Sequence, residues 1–406
     1  MVRKGWPFRI AAVLVGAVLC YFAAILALSP VVQDRSPQAA LSLTPFDAQA
    51  LAETASTLLQ ADQSPEGLAQ GREYAREALL REPINPVALR ALGLAAAVEG
   101  DDDTAREHFS LAARLTRRDL PTQLWWIEHE VTEGDISGVL AHYDEALKSS
   151  RRANEMLLPI LARASAEPLV AERLLPLLKE RPAYFRQFFI QANDTAPDIG
   201  GVAMIGRQLL NRRAPADQDL INRTIMGFAR KGEFDDAWTM FTWAAGGAPE
   251  SGVVNGTFDQ PTPFRLFNWE FTQNTDLAAE IAPRGDTDSL YLDARVGRGL
   301  VARQLLRLAP GRHRLQALVG DVPEAAIDRP TIGITCAVGG GTPLEPVAFP
   351  ASPSGQVVLR TAFNVPPGCR YQWLDLTASA ASQDEVRSWI DDLAIRPAAE
   401  AIQPIM

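Results

Sequence analysis

The sequence predicts a multidomain chain, α then β: an N-terminal transmembrane helix, a helical-repeat α-solenoid and a C-terminal antiparallel β-sandwich. Three observations carry this. A charge-free run of nineteen residues, Ile10 to Leu28, follows Arg3, Lys4 and Arg9. Alanines 78, 112 and 146 stand 34 residues apart inside a stretch of helical periodicity. At "GGAPESG", residues 246–252, that periodicity gives way to short alternating runs broken by Pro, Gly and Asp.

Nineteen residues at 1.5 Å rise reach across most of the roughly 30 Å hydrocarbon core of a bilayer. The preceding positive charges keep residues 1–9 in the cytoplasm and send the chain after Leu28 outward. The competing reading is a cleaved signal peptide, but the run exceeds the usual apolar length of about 7–15 residues. Pro30 also follows the small-residue exit Ala27-Leu28-Ser29. Lipoprotein processing at Cys20 is disfavoured by Leu19, where a small residue is wanted. Residues 10–28 are therefore read as a single-pass signal anchor in a bacterial inner membrane, with the bulk of the chain periplasmic. Residues 29–44, with two Ser-Pro steps, read as a linker.

From 45 to 247 the pattern is helical. "EYAREALLR", "TAREHFSLAARL" and "VAERLLPLLKE" place apolar residues at i, i+3, i+4 and i+7. One unit holds Leu92-Gly93, Gly100, Ala105, Phe109 and Ala112. The next keeps Gly134, Tyr143 and Ala146, and a later one has Gly232, Ala237, Phe241 and Ala244. Small residues let two antiparallel helices approach, Gly turns between them, and the aromatic fills the gap to the next hairpin. In these residues the stretch resembles the tetratricopeptide-repeat (TPR) family, which implies a scaffold that holds a protein partner. Between about 165 and 215 the register is lost, leaving divergent repeats or irregular packing helices. "TQLWWIEHE" carries Trp125 and Trp126, adjacent indoles about 100° apart on a helix. One of them is a candidate to line a protein-binding groove, and the alternative is that both pack between hairpins.

Residues 251–397 read as about ten strands, from "GVVNGTFD" and "FNWEFTQ" to "YQWLDLTA" and "WIDDLAIR", with "LAPGRH" as a hairpin turn. Few helices and many short strands imply a two-sheet sandwich. "VVNGTFD", "LLRLAPGRHRLQALV" and "SWIDDLAIRP" resemble the galactose-binding-like jelly rolls found among carbohydrate-binding modules. That resemblance implies glycan binding and, in related modules, a structural calcium between first and last strands. Asp259, Asp391 and Asp392 are the oxygen donors it points to, against pairing of these acids with Arg387 or Arg396. Residues 398–406 are a tail.

Sugar recognition needs an aromatic face with planar polar partners. The sandwich holds Trp269, Trp373 and Trp389; Trp269 beside Glu270 is the preferred platform. Trp373 falls in the alternating set Cys369, Tyr371, Trp373, so an inward disulfide implies an inward Trp373. Beyond Cys20, only Cys336 and Cys369 are present, and a pair in an oxidising compartment reads as a disulfide, or else as two separate thiols.

Net charge of −10 and pI about 5.1 argue against nucleic-acid binding. The 35 arginines against 4 lysines reflect base composition more than a basic surface. P-loop, Gly-x-Ser-x-Gly and dinucleotide-binding patterns are absent, and His129 between Glu128 and Glu130 lacks a second His at i+4. Glu270, Asp286, Asp288 and Asp293 are available carboxylates with nothing to select a catalytic pair. The expectation is a non-enzymatic, membrane-anchored periplasmic scaffold without a catalytic cofactor. It binds an envelope protein through its repeats and a polysaccharide through its sandwich, in polysaccharide biosynthesis or export. The rivals are a glycan hydrolase or lyase built on the sandwich, and an assembly factor with a purely structural sandwich.

Overall fold

A computed structural model describes residues 36–249, 252–261, 263–382 and 385–398. The expected cytoplasmic N-terminus, the anchor at 10–28, the first part of the linker (29–35) and nearly all of the tail lie outside them. Among the described residues no helix is long and apolar enough to cross a membrane.

Thirteen helices precede the strands among the described residues. They are α1 (Pro37–Leu43), α2 (Ala48–Ala61), α3 (Pro65–Arg81), α4 (Pro86–Val98), α5 (Asp102–Leu115), α6 (Leu120–Glu133) and α7 (Ile136–Ser149). Then follow α8 (Arg151–Ala164), α9 (Pro168–Lys179), α10 (Phe185–Thr195), α11 (Gly200–Leu209), α12 (Pro215–Arg230) and α13 (Phe234–Ala245). Helix α1 occupies part of the expected linker, because Ser36 caps it and Pro37 supplies a prearranged first turn. The chain divides into two compact units: one runs through residue 164 and takes in 173–188, the other comprises 165–172 and everything from 189 onward.

In the first unit the 34-residue register is visible in the backbone. Gly100 and Gly134 both turn with φ near +75° (78° and 74°), where a side chain is strained. Asn85 and Asp119 cap α4 and α6, and Asp101 and Asp135 cap α5 and α7, each pair one repeat apart. Ala78, Ala105, Ala112 and Ala146 are fully buried. A Cβ on Gly93 would lie 2.8 Å from Phe109 Cδ2, so the missing side chain makes room for the aromatic of the partner helix. Successive repeats are also pinned by Arg90, 7% exposed, which donates to Ser56 Oγ at 3.0 Å and pairs with Asp119, the cap of α6.

The second unit joins the hairpin α12–α13 to the sandwich. Gly232 makes this hairpin's turn with φ 78°. Asp235 on α13 accepts from Tyr371 Oη and Arg370 Nη1, both at 2.7 Å. Trp238 and Phe241 on the same helix meet the ring of Phe267, each at 5.1 Å between centroids.

Ten strands form two five-stranded antiparallel sheets. The first, in spatial order, is β1 (Glu270–Phe271), β4 (Gly297–Leu306), β9 (Gln372–Ala380), β6 (Thr331–Cys336) and β7 (Leu344–Ala348). The second is β2 (Leu277–Arg284), β3 (Thr287–Ala294), β10 (Val386–Pro397), β5 (Gly311–Val322) and β8 (Ser352–Val365). Leu290, Leu292, Val301, Leu315, Ile332, Leu374, Leu376 and Ile390 belong to the single core enclosed between them.

Three sequence expectations change here. "GVVNGTFD" is not a strand: Asn255 and Phe258 take positive φ (50° and 54°), and Gln304 brackets Val254 with two 2.9 Å bonds in place of a ladder. "LAPGRH" is not a hairpin turn, since β4 and β5 lie in different sheets and the turn carries the chain across the core. Strand β7, which follows "GGGTP", was not expected. Cys336 and Cys369 are disulfide-bonded, with Cα atoms 5.4 Å apart.

Candidate functional site

The outer surface of the first sheet follows from strand alternation. Ala302, Leu374, Leu376, Ile332 and Ile334 face the core, so their neighbours Arg303, Trp373, Asp375, Gly333 and Thr335 face outward. Register places Glu270, Arg303, Asp375 and Gly333 in one row across β1, β4, β9 and β6. Trp373 stands one row away, between Leu305 and Thr335.

These side chains form one group. Arg303 grips Asp375 with Nε and Nη2 at 3.0–3.2 Å, and its guanidinium carbon lies 4.4 Å from the centre of the Trp373 ring. The Arg303 and Asp375 side chains remain 32% and 27% exposed. Burial pushes the Glu270 carboxyl up, opposed by the guanidinium charges of Arg303 and Arg265. The result is a flat aromatic–guanidinium surface with a carboxylate on either side, able to stack on C–H groups and to bond hydroxyls.

The preferred platform, Trp269, is a core residue instead. It is 1% exposed, packs on Phe258 and donates from Nε1 to the Asn255 carbonyl, so it has no open face for a sugar. Its neighbour Glu270 does reach the outer surface. Trp373 faces outward although the disulfide is buried. Gly368, with φ 89°, and the Cys369–Pro366 turn precede β9, so the alternation that runs through Trp373 begins only at Gln372. Trp389 lies under Arg284, 3.9 Å from its ring centre, and its Nε1 donates to Asp321.

Asp259, Asp391 and Asp392 are not gathered into one group: among the described residues no three His, Cys, Asp or Glu side chains converge as metal donors. Asp391, 4% exposed, accepts from Arg284 and Ser289 on one oxygen and from the Asp392 N–H on the other. Asp259 accepts from Thr257. Burial, then the Asp391 charge, pushes the Asp392 carboxyl up. Arg387 pairs with Glu280 and Asp293.

In the first unit Trp125 and Trp126 are both half-buried. Trp125 stacks between Phe109 of α5 and His129 of α6, at 4.1 and 5.0 Å. Trp126 stacks on His142 of α7 at 5.4 Å, and His142 Nδ1 donates to Gln123 Oε1 at 2.8 Å. The two indoles thus fill the gaps on opposite sides of one helix. Burial holds the His142 and His108 imidazoles below the usual range, with Glu145 and Glu107 acting the other way.

No family model and no curated protein matches this chain. Solved structures give partial likenesses. TmCBM61, solved with β-1,4-galactotriose, is 11% identical with a TM-score of 0.26, covering 37% of this chain and 99% of its own. YrrB, a TPR protein with an unusual peptide-binding site, is 14% identical with a TM-score of 0.25, covering 52% and 91%. The enzymatically active domain of bacteriophage CBA120 tailspike protein 4 is 13% identical with a TM-score of 0.28, covering 36% of this chain, which spans about a fifth (21%) of that one. The neighbours thus include a TPR protein and carbohydrate-binding modules, and at these scores none of them transfers a residue role or a ligand to this chain.

Proposed function

We propose that the chain is a non-enzymatic scaffold, anchored in a bacterial inner membrane by residues 10–28, that holds a protein partner on its helical repeats and a polysaccharide on its sandwich. The observation that carries the glycan part is the outward group Trp373, Arg303, Asp375 and Glu270. It combines an indole, a bidentate guanidinium and two carboxylates on a half-open sheet face. Sugars are recognised by such flat, mixed surfaces. The protein-binding part is supported by the repeated hairpins of the first unit, whose half-exposed Trp125 and Trp126 sit on a rigid frame.

A glycan array probed with the detergent-solubilised full-length protein tests this. Neutral oligosaccharides bind the unaltered protein, and Trp373→Ala weakens binding at least tenfold while the melting temperature holds. Reducing ends do not accumulate on incubation with the same polysaccharides. A flat array with a folded protein, or steady release of reducing ends, rejects the reading.

A further inference from the structure

A concavity lies within the second unit, where α13, the ends of β4 and β10 and the β4–β5 turn meet. It is a pocket of about 740 Å³ with a mostly apolar wall that includes Trp238, Leu305, Leu308 and Pro310. That size falls within the range of small-molecule sites. Among the described residues its charged lining is of one sign: Arg307, Arg370 and Arg396 contribute, and no described Asp or Glu does. In a chain of net charge −10 this is a local reversal.

Two of the three cations have no carboxylate partner among the described residues. Arg370 is paired with Asp235. Arg307 instead lies over the Trp238 ring, 5.5 Å from its centre. Arg396 stands directly opposite Arg314 in the β10–β5 register, and its Nε is buried without a hydrogen-bond partner. Like charges facing across strands destabilise a sheet, and a partly buried guanidinium lacking a counter-charge costs more. An anion in the pocket beside Arg396 would offset both penalties, and the exposed Arg307 belongs to the same lining. The half-buried indole of Trp238 and the apolar wall suit a ligand whose anionic group sits on a body with C–H faces. Leu305 in this wall is the register partner of Trp373, so the pocket begins one strand from the outward aromatic group.

We propose that this pocket binds the carboxylate of an acidic sugar residue, a uronate, through Arg307 and Arg396, with the sugar ring against Trp238. The inference rests on the glycan-binding reading for the nature of the molecule that carries the carboxylate; the anionic selectivity rests on the pocket itself.

Calorimetric titration of the full-length protein with trigalacturonate, neutral galactotriose and inorganic phosphate tests it. Trigalacturonate is expected to bind at least tenfold more tightly than galactotriose, with the advantage shrinking as salt rises. Arg396→Gln and Arg307→Gln each remove about tenfold of the uronate affinity and leave galactotriose unchanged, whereas Trp373→Ala weakens both sugars. Equal affinity for the two sugars, insensitive to both arginine variants, overturns the pocket while sparing the glycan reading. Phosphate binding lost in Arg396→Gln, with neither sugar bound, overturns the uronate assignment and the glycan reading together. Two independent arginine variants with unchanged melting temperatures separate lost binding from lost folding.

Discussion

At the scale of single residues, small side chains and the disulfide decide more than charged pairs on the surface. Gly93 exists to admit Phe109, and a side chain there has to displace a 2%-exposed ring. Gly93→Val is expected to destabilise the first unit by about 1–3 kcal/mol through overpacking, read as a lower chemical-denaturation midpoint. Arg90 shows the opposite problem: removing it takes the charge partner from the half-buried Asp119, whose other oxygen stays on Thr122, and a donor from Ser56. Arg90→Ala should cost about 3 kcal/mol in the same measurement, as the loss of one partner of a buried pair does. Opening the Cys336–Cys369 bond releases a 33-residue loop. By chain entropy, reduction or Cys369→Ser lowers the stability of the sandwich by about 3–4 kcal/mol. Within the outward group, the exposure of Glu270 was legible, because a carboxylate on a sandwich strand is expected to face out. Trp373 was not, because a turn hidden between Cys369 and Gln372 resets the alternation. Trp269 was misassigned because hydrophobicity alone does not distinguish an indole that fills the core from one that caps a strand.

At the scale of elements, the hairpins carry a pH dependence. His142 on α7 and His108 on α5 are both held below the usual imidazole range by burial. An unfolded imidazole titrates near 6.5. Below that value the unfolded chain binds protons that the folded chain resists. The contribution is therefore full above about pH 6.5 and is lost as the pH falls through the window between 6.5 and the lower folded values. The melting temperature of the helical unit should drop from pH 7.5 to pH 5, and His142→Asn should reduce the drop. An unchanged slope in that variant would show that His142 is not the group responsible. Helices were legible because their period, caps and glycines are local. The β4–β5 connection was not: Pro310-Gly311 marks a turn equally well whether the chain returns in one sheet or crosses to the other.

At the scale of the whole molecule, composition locates a change of grammar near residue 247, yet the compact units do not divide there. Asp235, Trp238 and Phe241 on the last hairpin bond and stack with Tyr371, Arg370 and Phe267 of the sandwich. A fragment 189–398 is therefore expected to unfold in one transition at a higher temperature than a fragment 252–398, whose Phe267 and Tyr371 lose their cover. Equal melting temperatures would show that the helical hairpin contributes nothing to the sandwich.

The sequence by itself determined the order α then β, the 34-residue repeat with its glycines and buried alanines, and the number and approximate place of most strands. Each is written in local spacing, which the chain obeys through backbone geometry and side-chain size. Only the tertiary structure decided which indole faces out, that Asp391 is consumed by Arg284, and that Arg307 and Arg396 line one pocket. Those outcomes depend on which strands lie side by side, and strand order across two sheets leaves no local mark in the sequence.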